Sequence, residues 1–219
     1  MASTSHDLFR AIEAGDVERV RTVLAGDPSL ASSRDDEGVS ALMRARYRFD
    51  GALIEAVQRH VAELDVFEAA SADDLDQLTE LIERDDGLVH AVSGDGFTAL
   101  HFAAFFGRSE AVRLLLARGA DPNARGTGWM TGTPLHAGAS RRHVDVVQLL
   151  LEAGADPDAR QLGGWTPLHS AAHNGDARLV ELLLAAGADA AATSDDGTSV
   201  RDLAVESGDA ATIAAIAAR

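Results

Sequence analysis

Thr98-Ala-Leu-His101, Thr133-Pro-Leu-His136 and Thr166-Pro-Leu-His169 repeat one tetrapeptide at intervals of 35 and 33 residues, and Ser199-Val-Arg-Asp202 continues it in degraded form after another 33. Each of the first three is followed by a leucine triplet: Leu114-Leu-Leu116, Leu149-Leu-Leu151 and Leu182-Leu-Leu184. A third marker comes next, as Gly119-Ala-Asp-Pro-Asn123, Gly154-Ala-Asp-Pro-Asp158 and Gly187-Ala-Asp189. Self-similarity at this period is the mark of a repeat architecture.

The markers make physical sense as one unit. Thr133 and Thr166 can cap a helix with their hydroxyls, and Pro134 and Pro167 take the first helical position, where a missing N–H costs nothing. The first helix is short and small-sided, with Ala103-Ala104 and Ala171-Ala172, so backbones can approach closely. Gly107 and Gly175 permit a left-handed turn. The second helix presents Val112, Leu115 and Leu116 at helical spacing. Gly119 stops it, and Asp121-Pro122-Asn123 starts a tight turn toward the next unit. One such helix pair cannot bury its apolar face alone, so several must stack.

From about Gly96 to Gly197 these residues closely resemble the ankyrin-repeat family. The resemblance implies an all-α solenoid of helix-turn-helix units joined by short turns. The register extends beyond that span through an inner-helix Ala or Gly at Ala11, Ala45, Ala69, Ala103, Gly138, Ala171 and Ala204, with intervals of 34, 24, 34, 35, 33 and 33. We therefore expect one domain over 1–219 with seven units, at about 7–38, 39–63, 64–95, 96–130, 131–163, 164–196 and 197–219. The first and last read as caps. The second is about ten residues short, and Gly51–Gln58 reads as its outer helix, running almost directly into the next inner helix near Leu64–Ala70. The missing exit turn predicts a local distortion there. The stretch 39–63 is also rich in arginine: Arg44, Arg46, Arg48 and Arg59.

Composition narrows the function. The 219 residues carry 35 acidic and 19 basic side chains, a formal net charge of −16. That balance repels phosphate backbones and anionic lipid headgroups, so neither nucleic acid nor membrane is expected as a partner. Every basic residue is Arg, which with abundant Ala and Gly points to a GC-rich bacterial genome. With no Lys and no Cys, the side chains offer no Schiff base, thiolate nucleophile or redox couple. The absence of Cys fits a cytoplasmic setting, and the first residues show no basic-then-apolar leader. A monomer is expected from the two capped ends.

Three histidines at repeat spacing invite a metal reading. Stacked units would set His101, His136 and His169 roughly 10 Å apart, too far for one ion with ligand bonds of ~2 Å. In the family this position hydrogen-bonds backbone, and His143 also occupies a consensus position. No calcium loop, phosphate-binding glycine loop, serine elbow or zinc-protease helix is present, and no cofactor or metal is expected.

The resemblance places binding residues on the turn tips and the outward side of the inner helices, which line a concave surface. Mapped onto this chain, those positions are Phe97, Phe102, Phe105, Phe106, Trp129, Met130, Arg141, Gln161, Leu162, Trp165, His173 and Asn174. Two extra residues between Gly126 and Thr133 lengthen one turn of this set. Exposed aromatics on one face are a binding signature. Against it stands a plainer reading, in which Trp129 and Trp165 fold over their own turns as packing. The expected function is a non-catalytic scaffold or adaptor for an unidentified protein or peptide. The alternative is a small-molecule binder or atypical enzyme using the same groove, with Arg141, His173 and Asp176 as its polar groups.

Overall fold

A computed structural model of the chain describes residues 4–128 and 131–219. Among them the secondary structure is helical throughout: α1 Ser5–Ala14, α2 Val17–Gly26, α3 Ala41–Tyr47, α4 Gly51–Gln58, α5 Val66–Ala72, α6 Leu75–Arg84 and α7 Ala99–Phe105. There follow α8 Ser109–Ala117, α9 Pro134–Ser140, α10 Val144–Glu152, α11 Pro167–His173, α12 Ala177–Ala185, α13 Val200–Ser207 and α14 Ala210–Ala217. Extended pairing is confined to isolated bridges at the bases of three turns, Arg34 with Ser40, Val92 with Thr98 and Thr193 with Ser199. The fold is an all-α ankyrin-repeat solenoid.

Two compact units divide the chain, Met1–Glu68 with Ser93–Asp95 and Ala69–Val92 with Gly96–Arg219. Their boundary falls inside α5, directly after the shortened segment. Seven residues, 59–65, link α4 to α5, whereas fourteen, 153–166, link α10 to α11.

In the first unit α1 packs on α3 and α2 on α4, around Leu8, Ile12, Leu24, Leu42 and Leu53, each at most 1% exposed. Most of its arginines are tied to their own surroundings. Arg44 pairs with Asp35 and Glu37, Arg34 with Asp65 at 2.6 Å, and Arg59 with Glu55. Arg46 is buried and donates to Gln58 Oε1 at 3.2 Å. The Tyr47 hydroxyl donates to Asp95, whose other oxygen accepts from Ser93 Oγ at 2.6 Å. Burial, more than this bond, raises the Tyr47 pKa.

In the second unit inner helices pack on inner helices (α7 on α9, α9 on α11, α11 on α13) and outer on outer (α8, α10, α12 and α14 in succession). A small residue also lets inner helix α9 sit close to its own outer helix α10. A Cβ on Gly138 would come 3.2 Å from Val146 Cγ1 and 3.3 Å from Val147 Cγ2. Successive turns are locked to each other through backbone. Gly96 C=O accepts the Thr127 N–H at 2.9 Å, and Gly163 C=O accepts the Asp195 N–H at 2.9 Å. The left-handed Gly96, at φ 88°, leaves no room for a side chain, since a Cβ would lie 2.3 Å from Gly128 N.

The left-handed position between inner and outer helix is not always glycine. Phe49, Asp73 and Arg142 hold it with φ of 54°, 63° and 61°, at a cost of roughly 1–2 kcal/mol each against glycine-like freedom. Two of these side chains offset it by reaching the next outer helix. Asp73 Oδ1 accepts the Ala111 N–H at 2.9 Å, and Arg142 Nε donates to Asp176 at 3.0 Å. The exit turns add further ties: Asn123 donates from Nδ2 to Gly154 C=O at 3.0 Å and accepts the Asp156 N–H at 2.8 Å.

Candidate functional site

The threonine–histidine pairs that decide the fold are also its most polar buried feature. His101 and His136 are 2% and 1% exposed. Each accepts at Nδ1 from the N–H of its capping threonine, at 3.3 Å for Thr98 and 3.2 Å for Thr133. Nδ1 is therefore unprotonated and Nε2 carries the hydrogen, donating to Gly132 C=O at 3.2 Å and to Trp165 C=O at 3.1 Å. One ring thus caps its own helix and ties down the start of the next. Burial pushes both pKa values down to about 4. His169 repeats the Nδ1 arrangement with Thr166, but its Nε2 makes no well-aligned hydrogen bond, only an imperfect approach to the Thr198 carbonyl. The carbonyl at the equivalent place, Thr198, already accepts the N–H and hydroxyl of Ser194 at 2.9 and 3.1 Å. Burial lowers the His169 pKa as well. Among the described residues no group of three or more His, Asp or Glu is placed to hold a metal ion.

The residues expected to form a binding face separate into groups. Phe97 and Phe102 do not present their rings to solvent. Each is 3% exposed, the two rings meet edge to face at 5.9 Å, and Phe97 packs at 5.6 Å from His101. Both stand at the expected register, but their rings pack against each other and against His101 instead of facing outward. Trp129 and Met130 lie outside the described residues. Gln161 is half-buried, its side-chain oxygen enclosed without a partner, and its N–H donates to Trp165 C=O at 2.8 Å. Leu162 stands at the apex of its turn, 77% exposed, held by a 2.7 Å bond from its N–H to Thr131 Oγ1.

The rest lies at the C-terminal ends of α7, α9 and α11, except for Trp165, which stands just before α11. Phe105 and Phe106 are half-buried and meet edge to face at 5.2 Å. Arg141, exposed at the end of α9, lays its guanidinium 5.2 Å from the Phe105 ring centre. Trp165 runs along α11, 5.6 Å from the His169 ring and 6.1 Å from the exposed His173 ring. Asn174 bridges two units, its Nδ2 donating to Ser140 C=O at 3.2 Å. His143 fastens the end of α7 through Nε2 to Phe105 C=O at 3.1 Å. Asp176, the carboxylate of the catalytic alternative, caps α12 by accepting the Leu179 N–H at 3.1 Å and pairs with Arg142. That leaves it a structural group, 9% exposed.

Sequence reasoning passes over Arg142 and Asp73, whose importance depends on a backbone φ that no residue pattern announces. A partial signal exists, since both stand where the register elsewhere has Gly107 or Gly175.

Comparison with known proteins agrees with the geometry. A family model for ankyrin repeats (3 copies) matches residues 66–161, and a second, for ankyrin repeats (many copies), matches 156–204. Residues 66–204 are thus ankyrin repeats. The human DNA-binding protein RFXANK is 33% identical over 97 residues, which are 44% of this chain. The chain spans only 37% of that relative's length. No helix among the described residues is long and apolar enough to cross a membrane.

Proposed function

We propose that the chain is a non-catalytic protein-binding scaffold whose contact surface is the run of inner-helix ends in the second unit. The carrying observation is the succession Phe105 and Phe106, then Arg141 over Phe105, then Trp165 beside His173. Aromatic and arginine side chains at a partly buried surface are the composition of binding hot spots. Ankyrin repeats and the resemblance to an RFXANK-like protein fit an adaptor, and partner choice would lie with these side chains and the Leu162 apex. A scaffold of seven units, cytoplasmic in a bacterium, belongs to the same reading, supported by the register, the Cys-free composition and the Arg-only basic set.

Affinity capture with the immobilised chain tests it. Proteins retained by the wild type should be lost from a Phe105→Ala/Trp165→Ala variant of unchanged helicity. Equal retention by the variant would remove this surface from consideration.

A further inference from the structure

Charge changes sign along the outer helices of the second unit. α6, α12 and α14 start from Asp74, Asp176 and Asp209, each accepting a backbone N–H of its own first turn. α8 and α10, between them in the stack, start from Arg108 and His143. Arg141, two residues before His143, adds a third basic group beside the Phe105–Phe106 pair.

These groups differ in what they offer a partner. Burial lowers the His143 pKa, and the charges of Arg141 and Arg108 push it down further, so that ring is neutral at pH 7. Arg142 is paired with Asp176 at 3.0 Å. Arg108 donates from Nε to Ser71 C=O at 2.9 Å, and Arg141 lies over the Phe105 ring. A carbonyl and an aromatic ring do not cancel a charge. The positive stretch is short. On the α5 side stands Asp73, held by the Ala111 N–H, and in the α13 unit the register of His173 is taken by Glu206.

We infer that the partner presents an acidic peptide segment, with Asp or Glu next to an aromatic or aliphatic residue; this rests on the scaffold reading of the same surface. The carboxylate meets the Arg141 guanidinium, with Arg108 reinforcing it, and the apolar neighbour packs on Phe105 and Phe106. Contact with the Phe105 ring already restrains the Arg141 side chain, and the planar fork of guanidinium matches a carboxylate. Nucleic acid would need a basic track along several phosphates, and two arginines flanked by carboxylates provide none. The net charge of −16 opposes an acidic ligand at long range. At physiological salt that field is screened beyond about 8 Å, and the local arginines govern the contact.

The test is selection of a phage-displayed library of random linear peptides on the full-length chain. Enriched peptides should pair Asp or Glu with an adjacent aromatic or aliphatic residue. Synthetic copies should bind about tenfold or more weakly to Arg141→Glu, and Lys in place of the peptide's acidic residue should recover most of that loss. Arg141 is exposed, so the variant should keep wild-type helicity. Arg201→Glu, an equal charge change at another exposed arginine, should leave binding unchanged. Three results would overturn the acidic segment: peptides without carboxylates, peptides indifferent to Arg141→Glu, or peptides weakened equally by Arg201→Glu. The scaffold reading survives each of these if Phe105→Ala/Trp165→Ala abolishes binding, whereas peptides that bind this variant as well as the wild type would overturn both. An empty selection would overturn the acidic segment and leave the scaffold reading to its own capture experiment.

Discussion

Acidification should weaken the fold well above the range in which its carboxylates protonate, through His101 and His136. A histidine held neutral by burial has a lower pKa folded than unfolded, so the unfolded chain binds protons first and stability falls as pH drops. The contribution is fully present above the unfolded value of 6.5 and is lost progressively toward the folded value of about 4. Going from about pH 7.5 to about pH 5, linkage gives a loss of about 2 kcal/mol for each of the two rings, or ~4 kcal/mol together. His143 and His169, also lowered by burial, act in the same direction. Asp7, Asp202 and Asp209 have lowered pKa values and Asp196 one of about 2, so they protonate below this window. Burial raises the Glu68 pKa, so its protonation opposes the loss, but from the first unit. The assay is urea unfolding followed by circular dichroism across this range, on the wild type and on His101→Gln/His136→Gln. Glutamine can keep the capping geometry without titrating. The variant should start less stable yet lose about 4 kcal/mol less on acidification. If its stability falls as steeply with pH as the wild type's, the buried neutral histidines are not the cause.

Three other outcomes follow from the geometry. Gly96→Ala should cost at least about 2 kcal/mol in urea melts, through left-handed φ and collision with the neighbouring turn, whereas Gly119→Ala should cost only about 1 kcal/mol. The control works because Gly119 has a similar φ of 91° with nothing within 4 Å of an added Cβ; equal costs would refute the turn-to-turn lock. Arg142→Gly relieves the left-handed φ of 61° but loses the bond to Asp176, whereas Arg142→Ala keeps the strain and loses the bond, so the alanine variant should be the less stable by about 1 kcal/mol on thermal unfolding; equal or reversed stabilities would refute the strain at this position. Hydrogen exchange should be slowest in α7–α12 and faster across 39–63, where the connection is short and the repeat irregular, and the reverse order would contradict nearest-neighbour stacking as the source of stability.

Much of the architecture was legible because a repeat writes the same local physics several times. Threonine before proline, alanines on the short helix, the leucine triplet and the glycine exit all act within a few residues of chain, so spacing alone reveals them. The structural role of His101 and His136 was legible for the same reason, since each bonds a threonine three residues away. Which way a side chain faces at a given register was not. Phe97 and Phe102 lie close in sequence to Phe105, yet only the first two are buried, at 3% exposure each. Arg142 and Asp176 are 34 residues apart and Asp73 and Ala111 are 38 apart. Arg201 stands where the tetrapeptide elsewhere has leucine, but only the structure shows that it is exposed where Leu168 is buried. Sequence by itself determined the helix pairs, their period and the stacking, through short-range hydrogen bonds and helical periodicity. Tertiary structure alone decided exposure and pairing, because both depend on which distant residues the stack brings within a few ångströms.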